Sequence, residues 1–197
     1  EHIEGKIDIS TAQERISNYY EVRTDRKNIE NDTKEADIVS TRITQLLSEK
    51  AFQFSPAELF LIHKRLFTGV FKHAGEIRSY NISKKEWVLK GDSVFYASFE
   101  SIKDTLDYDF NQEKAFSYEG LTIQKAIEHI SDFTAGIWQI HPFCEGNTRT
   151  TAVFILKYLS TFGFSLSNSV FAKNSWYFRN ALVRANYNNL QKGISST

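Results

Sequence analysis

Only two prolines, Pro56 and Pro142, and nine glycines interrupt 197 residues. A chain with so few breakers is poorly suited to the many tight turns of a sandwich or barrel and favours long helices. Sixteen phenylalanines and a hydrophobic share of 41% can furnish one core, and the length suits one domain with a small extension. Basic and acidic side chains balance at 24 each, so no basic excess points to nucleic acid or to an anionic membrane. No run approaches the ~18 apolar residues of a membrane span, and there is no signal-peptide pattern. The lone cysteine, Cys144, excludes an intramolecular disulfide and a Cys-rich zinc site, so a reducing cytoplasmic setting is expected. Methionine is absent, so Glu1 is not expected to be the translation start.

The expected elements follow from periodicity and caps. Residues 11–20 read as a polar N-terminal helix, and residues 23–37 as a charged linker, a solvated loop or a helix start. Ile38, Ile43, Leu46 and Leu47 give a short helical pattern. Ser55 as N-cap, Pro56 at the first helical position and Glu58 completing a capping box announce the next helix. Trp87-Val88-Leu89 and Val94-Phe95-Tyr96 flank a glycine-containing turn and read as a β-hairpin. Residues 99–110 read as helical. A longer helix from about Thr122 carries Ile123, Ile127, Ile130, Thr134 and Ile137 on one face, and Pro142 stops it at His141. A helix from about Thr148 is apolar nearly all round and should be the buried centre. Asn174 or Ser175 could cap a last helix running to about Lys192, with Gly193 as its stop.

Chemistry concentrates where two of these helices meet, at His141-Pro142-Phe143-Cys144-Glu145-Gly146-Asn147-Thr148-Arg149. A helix N-terminus offers free N–H groups and a positive dipole end to phosphate oxygens. Gly146 lets the backbone approach such a ligand, and Asn147 can cap the helix and touch the ligand. Arg149 can grip a phosphate with two parallel N–H bonds, or it can simply pair with an acid. Glu145 beside phosphates calls for a cation between them, and Mg²⁺ is the natural one. His141 is a neutral-pH base. Alone it would more often be structural; within this constellation it reads as catalytic. The parts point to transfer of a nucleotide or phosphoryl group.

This segment resembles the Fic family, whose pattern is H-x-F-x-(D/E)-G-N-(G or other)-R-x-x-R, and the resemblance extends more weakly over most of residues 40–192. It implies an all-α fold with one short hairpin flap, arranged as an N-terminal element (1–37) and a catalytic domain (38–197). It implies an adenylyltransferase that moves AMP from ATP to a hydroxyl of a target protein, and also to itself. His141 would be the general base and Glu145 the Mg²⁺ ligand. Gly146 and Asn147 would form the anion hole, with Thr148 and Arg149 completing the phosphate site. Phe143 would anchor the loop in the core. Lys84 and Lys85 would stand near the ATP mouth. Tyr177 and Asn180 are divided evenly between adenine contact and plain packing. The target would dock on the hairpin at 86–97 as an added strand. An oligomer is compatible with this reading, as is delivery into a host cell by a secretion system.

Two departures stand out. Thr148 replaces the usual glycine, and Ala152 stands where the family often has a second arginine, which usually grips the γ-phosphate and pairs with an inhibitory glutamate. Ser17 and Glu21 fit part of the family's inhibitory pattern (S/T)-x-x-x-E-(G/N), which Val22 breaks; Glu21 is the expected inhibitory residue. The rival readings are a Fic-like module that binds a nucleotide without transfer, and a Fic enzyme that uses another nucleotide, removes AMP or transfers phosphate.

Overall fold

A computed structural model describes Thr11, residues 29–164 and residues 169–194. The proposed inhibitory pair Ser17 and Glu21 lies outside these residues. Six α-helices carry the described chain: α1 (Ile29–Ser48), α2 (Pro56–Phe67), α3 (Ile102–Ala115), α4 (Ile123–Ile140), α5 (Asn147–Thr161) and α6 (Ser169–Ala185). The all-α expectation holds. None of these helices is long and apolar enough to cross a membrane. Helix α1 runs through positions 37 and 38 without a break.

Local signals place several boundaries. The Ser55 side chain accepts the Glu58 N–H at 3.2 Å, with Pro56 in the first helical position. Thr122 caps α4 through the Lys125 N–H. Pro142 stops that helix, and His141 becomes its left-handed cap at φ 51°. The last helix spans Ser169 to Ala185, with a kink at Asn174 (φ −122°, ψ 24°) that separates two helical segments where a cap was expected, and it ends short of Lys192. A separate 3₁₀ turn, Leu190–Lys192, follows and ends on Gly193.

Helix α5 is the axis of the fold. Its Val153, Phe154, Ile155, Leu156 and Tyr158 are all buried, as its all-round apolar sequence predicts. Phe54 fills the space between neighbouring helices, 4.9 Å from Phe110 and 4.4 Å from Tyr158. Lys157 is buried too, and its ammonium donates to the Leu46 and Glu49 carbonyls at 2.8 Å, closing the end of α1. The stripe on α4 reaches the core only at its C-terminal half. Thr134 and Ile137 are buried, whereas Ile123 and Ile127 are exposed along an apolar groove of about 580 Å³ shared with Phe162 and Phe164.

The expected hairpin is not formed as two paired strands. One antiparallel bridge, Lys85 to Ser93, closes the segment. Residues Trp87–Leu89 make a 3₁₀ turn instead of a strand. The Glu86 carbonyl accepts the N–H groups of both Leu89 and Gly91, at 3.0 Å each, so the chain wraps around its own carbonyl. Lys90 and Gly91 are both left-handed. Val94 goes into a small core with Trp138, Leu182 and Val183 rather than across from Val88. Val88, Leu89, Val94 and Tyr96 were packing signals, not ladder signals.

Candidate active site

The loop from His141 to Gly146 joins the end of α4 to the start of α5, and buried contacts fix it from below. Phe143 is buried and stacks on His63, with ring centroids 3.7 Å apart and planes 10° from parallel. His63 accepts the Gly75 N–H at Nδ1 (2.8 Å), so its Nε2 carries the proton and donates to the Glu145 carbonyl (3.0 Å). His63 is thus a buried hub of the loop. Burial, with His73 and Arg149 as further positive neighbours, pushes its pKa down to about 4 against the pull of the Glu145 carbonyl.

Asn147 closes the loop on itself. Its amide oxygen accepts the Phe143 N–H at 3.0 Å, and its amide nitrogen donates to the Phe143 carbonyl at 2.7 Å. The side chain is therefore spent on the loop rather than on capping α5. Gly146 stands at φ 78°, and a Cβ there would lie 2.4 Å from a Phe67 ring carbon, so both conformation and space require glycine. Gly146 caps α5 without a side chain, and the first intrahelical bond is Thr150 N–H to its carbonyl. The N–H groups of Asn147, Thr148 and Arg149 are thus not used by the helix.

Arg78 was not singled out from the sequence. It is 2% exposed and donates to the carbonyls of His141 (2.8 Å), Tyr80 (2.7 Å), Ala97 (2.5 Å) and Ile140 (3.3 Å). Its own N–H reaches the Pro142 carbonyl at 2.9 Å. One guanidinium therefore satisfies the C-terminal carbonyls of α4 and ties them to the flanking loops.

The result is a cavity of about 170 Å³. Of the residues singled out in the sequence, His141, Glu145, Gly146, Asn147, Thr148, Arg149 and Lys84 line it. Lys85, Tyr177 and Asn180 do not. Lys85 is exposed, and Tyr177 is 76% exposed on α6. Cys144 is not on the cavity wall; it sits beside the Tyr80 hydroxyl and raises that group's pKa. Three lining residues were missed: Tyr96, Trp138 and Arg179. Tyr96 and Arg179 come from remote parts of the chain and carry no local mark, whereas Trp138 stands one helical turn before His141, a spacing that could have found it.

His141 is 3% exposed. Its Nδ1 lies 3.2 Å from the Trp138 carbonyl, which can only accept, so Nδ1 holds the proton. The Nε2 lone pair is buried without a partner. Burial first, then Lys84, Arg78 and Arg179, push the ring pKa down to about 3, so the ring is neutral near pH 7. Thr148, which replaces the family's usual glycine, accepts the Trp138 indole N–H at 2.9 Å. Arg149 pairs with Glu35 of α1 at 2.8 Å and lies over the Phe67 ring. The simple ion pair weighed for Arg149 is therefore present, from a residue that also faces the cavity. Glu145 is exposed at the mouth, and no cluster of three metal-ligating side chains occurs among the described residues. One carboxylate facing a phosphate site fits Mg²⁺, which usually takes one or two carboxylates with phosphate oxygens and water.

The buried histidines predict the acid response. Their folded pKa values lie below the ordinary value of 6.5, so on acidification the unfolded chain takes up protons first. Stability should be full above about pH 6.5 and fall progressively toward pH 4. His63→Phe, which keeps a ring but cannot charge, should melt lower at pH 7 yet lose less of its Tm between pH 7 and pH 5. Thermal melts at the two pH values check this.

The Fic/DOC family profile matches residues 53–159, which hold α2 to α5 and the loop. No curated protein matches the sequence significantly. Among solved structures the chain is similar to the N-terminal Fic domain of a VirB-translocated Bep effector from Bartonella quintana with bound ADP, at 20% identity and TM-score 0.64, covering 82% of this chain and 81% of that one. It is similar to BepC from Bartonella tribocorum with bound AMPPNP, at 24% identity and TM-score 0.63, covering 84% and 83%. A further Fic domain from Bartonella quintana aligns at 21% identity and TM-score 0.62, covering 79% and 75%. These likenesses agree in fold, and the profile covers more than half of the sequence, including the loop from His141 to Arg149. The chain belongs to the Fic/DOC family.

Proposed function

We propose that this domain transfers AMP from ATP to a hydroxyl of a target protein and of itself. The observation that carries the reading is the state of His141. Its Nδ1–H is held by the Trp138 carbonyl, and its Nε2 lone pair is buried, unpartnered and on the wall of a cavity that also holds the free N–H groups of α5. That is a base with its tautomer set, beside a site for phosphate oxygens. The solved relatives with ADP and AMPPNP support a nucleotide as the ligand.

In this mechanism the acceptor hydroxyl approaches Nε2 of His141, and its proton passes to that nitrogen. The acceptor oxygen forms a bond to the α-phosphorus, and the bond from that phosphorus to the leaving pyrophosphate oxygen breaks. A bound phosphate is an anion beside the imidazole and raises its low pKa, which makes it a better base once ATP is in place. Backbone N–H groups of α5 face the phosphate oxygens, and the helix dipole favours their charge. Glu145 would hold Mg²⁺ together with those oxygens; the metal supplies charge neutralisation. The side chain of Asn147 positions the loop and leaves its N–H to the anion. Lys84 and Arg149 contribute cationic walls.

Residues 86–97 carry exposed Trp87 (66%) and Phe95 (75%), an apolar face suited to a target segment. Their base is fixed by two ion pairs, Glu86 with Arg179 at 2.7 Å and Asp92 with Lys192 at 2.6 Å. Docking there needs no preformed strand.

Incubation with ATP and Mg²⁺, read by intact mass, tests the reading. Wild type should gain one AMP, and His141→Ala should gain none while still binding ATP. The Glu35 pair adds a second expectation, because ATP must compete for Arg149. The pair is partly exposed, and such pairs contribute at most about 1 kcal/mol, so Glu35→Gln should tighten ATP about two- to fivefold. Calorimetric titration measures it.

A further inference from the structure

The cavity beside His141 contains more unused hydrogen-bonding capacity than the loop alone accounts for. Three buried polar atoms without hydrogen-bond partners belong to residues that line it: Nε2 of His141, the Tyr96 hydroxyl and one terminal nitrogen, Nη1, of Arg179. They come from three separate pieces of chain: the end of α4, the segment before α3, and α6. A buried N–H or O–H left without an acceptor costs about 1–3 kcal/mol. Three such atoms on one small cavity describe a site shaped for a ligand that supplies the missing partners.

Arg179 is fixed in orientation before any ligand arrives. Its Nη2 donates to both carboxylate oxygens of Glu86, at 3.0 and 2.7 Å, and Glu86 is 1% exposed. The planar fork cannot turn without breaking that pair, which leaves Nη1 buried and without a partner on a residue that lines the cavity. Tyr96 stacks obliquely against His141, with ring centroids 4.1 Å apart, which places both rings on the same wall. Arg179 is close enough to His141 to depress its protonation, so the guanidinium and the base share one field.

Arg179 Nη1 and the Tyr96 hydroxyl are donors in their ordinary states, Tyr96 with the Glu86 carboxylate near it as a competing acceptor, and His141 Nε2 is an acceptor. The missing ligand therefore brings oxygen acceptors to Arg179 and Tyr96, and a proton-bearing oxygen to His141. Under the reading of the preceding section, the proton-bearing oxygen is the acceptor hydroxyl, and the oxygens next to it belong to the phosphoryl group under attack. We propose that Arg179, held by Glu86, donates through Nη1 to a non-bridging oxygen of the phosphoryl group being transferred, with the Tyr96 hydroxyl as a second donor. This deepens the adenylyl-transfer reading and rests on it. Arg149 and the first turn of α5 then hold the rest of the phosphate chain, and Arg179 acts where negative charge grows during transfer.

A donor of this kind acts mainly on rate. Losing one preorganised donor to a developing oxyanion costs about a hundredfold in the best-measured cases. Arg179→Lys keeps a cation for Glu86 and removes the second nitrogen. It should slow self-labelling at saturating ATP by about tenfold or more, with the half-saturating ATP concentration changed less than about threefold. Tyr96→Phe removes one hydroxyl from an intact ring and should slow labelling by about threefold or more, with an unchanged Tm. A purely structural role would lower Tm and shift the half-saturating concentration together with the rate. Labelling by both variants within twofold of wild type would overturn the inference and leave the adenylyl-transfer reading standing. A wild type that gains no AMP would overturn that reading and the inference with it.

Discussion

Arg78 has a buried guanidinium whose described partners are all backbone carbonyls, four of them reached from its side chain. Two belong to Ile140 and His141 at the end of α4, where a helix leaves carbonyls unsatisfied and carries the negative end of its dipole. The other two belong to Tyr80 and Ala97, which flank the segment that covers the cavity. A cation there answers the dipole and the orphan carbonyls together. It also holds His141 in a left-handed conformation that costs a non-glycine residue on the order of 1 kcal/mol. With His141 fixed in that turn, the imidazole points back over Trp138 with one nitrogen occupied and the other free.

The rest of the loop follows from that starting direction. Phe143 drops into the core against His63, and Asn147 closes the turn through both polar atoms of the Phe143 backbone. Gly146 passes the Phe67 ring at a distance no side chain allows, and α5 begins with Asn147, Thr148 and Arg149 lining the cavity. Each contact is made below the loop, so its upper surface is left to the ligand. The covering segment is held in the same way at Glu86 and Asp92, which bind it to α6 and to the C-terminal turn. The site is thus a rigid floor and a fastened wall, each set by buried polar contacts between remote parts of the chain.

Helix identity and the composition of the loop were legible because their signals are local. Ser55 with Pro56, the break at Pro142 and the apolar circumference of α5 each act within a few residues. The segment His141 to Arg149 could be read because its chemistry is contiguous. Arg78, His63, Tyr96 and Arg179 were not legible, because apart from Tyr80 beside Arg78 the partners that give them their roles lie between 12 and 93 positions away. The segment at 86–97 misled for a related reason. Its Val88, Leu89, Val94 and Tyr96 pack on a helical core while Trp87 and Phe95 stay exposed, and Glu86, buried on Arg179, gathers the turn around its own carbonyl. Ile123 and Ile127 fit a helical stripe, but periodicity does not tell where the core ends. Tyr177, divided between adenine contact and packing, is 76% exposed on α6.

The central claim is that the proposed nucleotide site depends on Arg78 holding the end of α4, although Arg78 does not line the cavity. Calorimetric titration of Arg78→Met with ATP and Mg²⁺, beside a far-ultraviolet dichroism spectrum, tests it most directly. The account predicts that helix content is kept while ATP affinity falls by about tenfold or more, roughly 1.4 kcal/mol. Wild-type affinity in a folded Arg78→Met chain would contradict it.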